Sequence, residues 1–149
     1  MTDVRFYHLT VKRLEQALPE IVAKALERKY RVLVKAGSRE RVEALDTALW
    51  TYDPASFLPH GYVKDGTEAD QPVFLTDEDA NPNNANVLIL TDGAASDDVG
   101  RFTLACEIFD GNDETAVQAA RTRWKQYKEQ GHTIAYYQQG DGGKWEQKA

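Results

Sequence analysis

Only one cysteine, Cys106, stands among the 149 residues. A lone thiol excludes an internal disulfide and any metal site built from several cysteines. Long apolar runs are missing as well. Nothing approaches the roughly 20 residues needed to span a bilayer, and the longest strand-like run is VLIL at 87–90. The opening MTDVRFYHLT has no charged-then-apolar signal architecture, so a cytoplasmic protein is the expectation. The three histidines, at 8, 60 and 132, lack any H-E-x-x-H or similar ligand spacing. DGNDE at 110–114 has the composition of a calcium loop but not its twelve-residue register. Neither G-x-G-x-x-G nor G-x-x-x-x-G-K-[ST] occurs, and no Ser or Cys nucleophile carries a local signature for its base. No metal, cofactor or intrinsic catalytic activity is expected. One weak phosphate candidate remains, the TDGAAS stretch at 91–96, which follows an apolar strand and offers backbone amides to an anion. It supports an alternative function, a small α/β nucleotide-binding regulator or enzyme, although such a stretch more often marks an ordinary turn.

What the chain does have is an uneven charge. The net charge is −6, and residues 1–120 hold 12 basic and 21 acidic side chains, a net of −9. Residues 121–132, RTRWKQYKEQGH, reverse the sign: Arg121, Arg123, Lys125 and Lys128 face only Glu129, a net of +3. Strong nucleic-acid binding draws on a broad basic surface that neutralises many phosphates. A mostly acidic body with one basic patch suits a small, local acidic partner better.

The apolar pattern alternates strand and helix. VRFYHL at 4–9 reads as a strand. In RLEQALPEIVAKALERKY at 13–30, Leu14, Ala17, Leu18, Ile21, Val22, Ala25 and Leu26 fall at helical spacing, with Pro19 marking a start or a bend. RVLVKA at 31–36 has the continuous apolar character of a strand buried on both faces. Ser38 caps a helix over 38–50, with Val42, Leu45 and Leu49 as its stripe. Residues 53–66, with two prolines and two glycines, read as a loop. Strands follow at 72–75, 87–92 and 101–110, then a helix over 113–130 capped by Asp113, then a strand at 132–139. Residues 140–149, GDGGKWEQKA, read as a flexible tail. The order implies an α/β fold: an open, mostly parallel sheet flanked by helices in three layers, Rossmann-like but without a phosphate-binding loop. The first two strands are expected to run parallel. A single domain is expected over 1–139.

Two stretches stand out as surfaces. LWTYDPASFLPHGY at 49–62 puts large aromatics into a proline-bracketed loop, where they either fold back over the core or serve as interface anchors. On the helix of 113–130, a wheel at about 100° per residue turns Ala116, Ala120, Trp124 and Tyr127 toward the sheet. It ranges Arg121, Lys125 and Lys128 in one stripe beside Trp124 and sets Arg123 on the other flank. Three cations beside an aromatic edge make a site for a carboxylate-bearing, partly apolar ligand.

Taken together, the FYHL strand, RVLVKAGSRERVEALDTALW, the LW…SFLPH segment and the ARTRWKQYKEQGH helix resemble the chi subunit family of bacterial DNA polymerase III holoenzyme, over nearly the whole chain. The most specific residues are Leu49-Trp50 followed by Ser56-Phe57-Leu58-Pro59-His60, and the basic-aromatic last helix. The resemblance implies a non-catalytic adaptor in replication and repair, cytoplasmic and associated with the replisome. It implies two partners. One is the acidic C-terminal tail of single-stranded-DNA-binding protein, which ends in Pro-Phe with a free carboxylate. The other is the psi subunit of the clamp loader, or an iron–sulfur repair helicase that competes for the same surface. The tail site maps by this resemblance onto Arg121, Trp124, Lys125, Lys128 and Tyr136, and the psi or helicase surface onto Trp50, Phe57, Pro59 and His60. Position 124 is Trp where other members carry Tyr. Neither a membrane nor strong direct nucleic-acid binding is implied.

Overall fold

The computed structural model describes residues 2–51, 61–62, 72–78, 81, 83–91, 94, 99–140 and 145–148. Eight strands form one sheet: β1 (Asp3–Leu9), β2 (Val32–Lys35), β3 (Gly61–Tyr62), β4 (Val73–Thr76), β5 (Val87–Leu90), β6 (Leu104–Asp110), β7 (Thr133–Gln139) and β8 (Trp145–Gln147). Their order across the sheet is β3-β4-β2-β5-β6-β1-β7-β8. Every pairing is parallel except β7 with β8. The sheet is open and mostly parallel, as the alternation of strand and helix implies. β1 and β2 do run parallel, but β5 and β6 lie between them.

Among the described residues, three α-helices complete the layers: α1 (Leu14–Glu27), α2 (Arg39–Thr51) and α3 (Glu114–Glu129). Parallel strands covered on both faces read as continuous apolar runs, and β2, β4 and β5 are buried in that way. On one face, Leu18, Val22, Val42, Leu45 and Leu49 from α1 and α2 pack over Val34, Leu75, Ile89, Cys106 and Ile108. On the other, Ala120 and Tyr127 from α3 pack over Val4, Phe6, Leu88, Ala105 and Phe109. Cys106 lies in the first of these cores, and burial pushes its thiol up to about 12, so it is a packing residue and no nucleophile.

Helix α1 continues on both sides of Pro19, which is buried within it. Its start lies five residues earlier, where the Gln16 side chain accepts a hydrogen bond from the Arg13 amide at 3.1 Å. Ser38 caps α2 through the Arg41 amide at 3.2 Å. Arg41 then reaches Glu15 on α1 at 2.8 Å. Asp113 caps α3 through the amides of Thr115 and Ala116. Tyr127 shows the wheel's apolar face to be the buried one, and Ala116 and Trp124 flank it, half-buried.

Two expectations change. Within the stretch read as a loop at 53–66, Gly61–Tyr62 pair with β4 as the short edge strand β3; residues 52–60 and 63–66 lie outside the described residues. Within the stretch read as a flexible tail at 140–149, Trp145–Gln147 form β8. The cause is a single aromatic anchor. Trp145 sits edge-on to Tyr7 at 5.0 Å, which is enough apolar contact to seat a polar strand whose backbone groups pair with β7.

Candidate functional site

A groove of about 430 Å³ runs between α3 and β7. Ala120, Trp124 and Tyr136 give it apolar walls, Arg121 and Lys125 give it cations, and Gln118 and Thr122 complete it. Tyr136 is held from below: its ring stacks on Phe6 at 6.2 Å and meets Phe109 at 6.1 Å. Lys128 places its ammonium 4.9 Å from the centre of the Trp124 ring, a cation–π contact that fixes both side chains at the rim. Arg121 and Lys125 are exposed, and neither makes an ion pair with a described residue. Four of the five residues implied for the tail site thus line one groove, and the fifth stacks on its Trp124 wall.

Arg123 has a different assignment. Its Nε lies 2.6 Å from Oε2 of Glu107, and the two side chains are 14% and 3% exposed. The Tyr127 hydroxyl donates to the same carboxylate oxygen at 2.7 Å. Burial pushes the Glu107 carboxyl above its ordinary range, against the pull of Arg123 and Tyr127. This cation therefore anchors α3 to β6 on the flank away from the groove, and the wheel is right to set it apart.

Sequence reasoning missed His8. Strand alternation puts Val4, Phe6 and His8 on the α3 face of β1, and the His8 Nδ1 stands 2.6 Å from the Tyr136 hydroxyl. Gly111 makes room for it: a Cβ there would overlap the imidazole and crowd the Leu9 carbonyl. Burial lowers the His8 pKa, Arg121 lowers it further and Asp110 opposes them. Burial raises the Tyr136 pKa, with Arg121 opposing. The charge of Arg121 is thus felt by both. Knowing the β1–β7 register, Phe6 beside Tyr136, is what brings these residues together, and no local pattern gives it.

The crevice at the carboxyl ends of β1 and β6 is where an open parallel sheet usually takes its ligand, because α1 and α3 leave for opposite faces there. A cleft of about 740 Å³ lies at this point. Its first turn is already occupied by the protein itself. The amides of Thr10, Val11 and Lys12 all donate to Oε1 of Gln139 at 3.1 Å. Three converging amides are the hardware of a phosphate loop; here they hold a side-chain carbonyl. Of the TDGAAS stretch, only Thr91 and Ala94 are described. The Thr91 hydroxyl donates to the Lys35 carbonyl, and the Ala94 amide donates to the Thr91 carbonyl at 2.9 Å. Trp50 lies in the last turn of α2, but its side chain, and all of Phe57, Pro59 and His60, lie outside the described residues. Among the described residues, no helix is long and apolar enough to cross a membrane.

Comparison with known proteins places these features. The profile of the family described as DNA polymerase III chi subunit, HolC, matches residues 1–135. A Pseudomonas aeruginosa protein named DNA polymerase III subunit chi is 29% identical over 139 residues, 90% of this chain and 94% of that one. The Escherichia coli protein of the same name is 27% identical over 122 residues, 81% of this chain and 82% of its own. A Rickettsia prowazekii protein named as a probable subunit chi is 32% identical over 90 residues, 60% of this chain, and the match spans only about half, 54%, of that relative. The chain belongs to the family of DNA polymerase III chi subunits, components of the replication machinery.

Proposed function

We propose that this protein is a non-catalytic adaptor that holds the acidic C-terminal tail of single-stranded-DNA-binding protein in the groove between α3 and β7 and links it to the clamp loader through psi. The observation that carries the reading is the composition of that groove: two exposed cations and two aromatic walls in one space of about 430 Å³. Arg121 pairs in bidentate fashion with the terminal carboxylate, the phenyl group packs against Trp124 and Tyr136, and Lys125 and Lys128 meet the preceding aspartates. The rest of the chain, net negative, repels naked nucleic acid and sets the groove's cations apart as an attractive patch for an acidic peptide.

A fluorescent acidic peptide ending in Ile-Pro-Phe tests this directly. It binds in the micromolar range and weakens with added salt, because exposed ion pairs are screened. Arg121→Ala costs about 1–3 kcal/mol of affinity, the scale of a charge-assisted hydrogen bond. Failure of the peptide to bind at low salt, or indifference to amidation of its carboxylate, refutes the assignment of Arg121.

The psi subunit, or a repair helicase in its place, docks on Trp50, Phe57, Pro59 and His60. Phe57→Ala abolishes capture of purified psi while leaving peptide binding intact; unchanged capture returns this loop to a role in covering the core.

A further inference from the structure

His8 is joined to the groove by geometry that neither the family match nor the proposed tail site uses. Its ring lies 5.1 Å from that of Phe109 and 5.9 Å from that of Tyr136. The Nε2 edge is packed against the backbone of Gly111, where even a methyl group would overlap it. The Nδ1 edge points the other way, at the Tyr136 hydroxyl, 2.6 Å off. The ring has therefore one polar contact, and that contact is a wall of the groove. The charged and titratable groups that act on it are Arg121 from α3, Asp110 from the end of β6 and Tyr136 from β7.

Proton positions decide what Tyr136 presents to a ligand. A neutral His8 with its proton on Nε2 accepts at Nδ1, and takes the hydroxyl hydrogen of Tyr136. The phenol then offers only lone pairs to the groove, which repel a carboxylate. A protonated His8 donates at Nδ1 instead, and the phenol hydrogen is released to point outward. The hydroxyl becomes a donor, and a second positive charge stands beside Arg121.

We propose that His8 is a positioning residue of the groove: through Nδ1 it sets whether the Tyr136 hydroxyl donates to a carboxylate ligand, so that an acidic peptide binds more tightly when His8 is protonated. The proposal rests on the groove being the peptide site, as argued above. Linkage gives the sign. Burial and Arg121 hold the free His8 below its ordinary 6.5. A carboxylate bound to Arg121 offsets that cation and raises the His8 pKa, so binding takes up a proton and strengthens as pH falls through the window between the two values.

The test is titration of the Ile-Pro-Phe peptide at constant ionic strength with the full chain, as wild type, His8→Asn and Tyr136→Phe. Asn keeps an amide near the position of Nδ1 but does not titrate. Between about pH 7.5 and about pH 5.5, wild type tightens by about three- to tenfold, the effect of one added charge and one donor near a carboxylate. His8→Asn changes less than about twofold over the same range, and Tyr136→Phe, which keeps the added charge but not the donor, falls between His8→Asn and wild type. His60 and His132 are present in all three proteins, so any contribution they make cancels. A ring-proton titration followed by NMR adds an independent readout: the His8 pKa rises when peptide is added. A wild-type slope retained in His8→Asn, or a His8 pKa that peptide does not move, overturns the role of His8 while leaving the peptide site standing. Absence of peptide binding to wild type at every pH and low salt overturns both.

Discussion

Glu107→Ala lowers the stability of the protein by about 3–5 kcal/mol, because it strands a partly buried guanidinium and a buried phenol without their acceptor. The carboxylate sits in the sheet at 2% exposure and is the joint between β6 and α3, through Arg123 and Tyr127. For a chain of this length the loss is a fall of roughly 6–20 °C in the unfolding midpoint. The contrast that identifies the mechanism is a triple replacement, Glu107→Met with Arg123→Met and Tyr127→Phe. Removing all three polar groups together is near neutral, since no charge is left buried without a partner. Chemical denaturation of both proteins decides it. A single-variant loss under about 1 kcal/mol means that water reaches the pair.

Phe6→Ala is the second large effect. Phe6 is fully buried and touches Phe109, Tyr127 and Tyr136 at ring separations of 6.0–6.5 Å. Truncating a buried phenylalanine to alanine costs about 3–5 kcal/mol through lost burial and the cavity left behind. The consequence reaches the groove, because Phe6 is the surface on which Tyr136 rests. Phe6→Leu separates the two roles. It costs less than about 2 kcal/mol, the range of a near volume-conserving exchange, yet weakens peptide binding by loosening the Tyr136 wall. Equal affinity in Phe6→Leu and wild type shows that Tyr136 is held from elsewhere.

Much of the fold was legible because its signals are local. The 3.6-residue spacing of Leu14, Leu18, Ile21 and Val22 and the solid apolar runs of β2 and β5 need no partner to be read. The groove was half legible for the same reason. Arg121, Trp124, Lys125 and Lys128 lie within eight positions on one helix, and a wheel suffices to group them. The rest depends on pairings between distant residues. Tyr136 joins the groove through strand register, His8 comes from a strand 128 positions away in sequence, and Gln139 meets the turn after β1 across a comparable gap. Glu107 did carry a mark, an acid in the apolar run LACEIFD, which signals a buried pair, but not that Arg123 is the partner. β8 was hidden by composition: three glycines and charges around one tryptophan look like a tail until the edge of β7 and the ring of Tyr7 are there to receive it.

The position of β1 also orders events in time. This strand pairs on one side with β6, Asp3 against Leu104, and on the other with β7, Asp3 against Thr133. It has no neighbour closer in sequence. On a ribosome adding about 5–20 residues per second, β1 waits some 5–20 seconds for its first partner. Throughout that delay Val4, Phe6 and Leu9 have no sheet to enter, while α1, β2 and α2 already have one another. The two halves of the sheet therefore join late, at β5–β6–β1, and the groove between α3 and β7 is completed only afterwards, when β7 pairs on the free edge of β1.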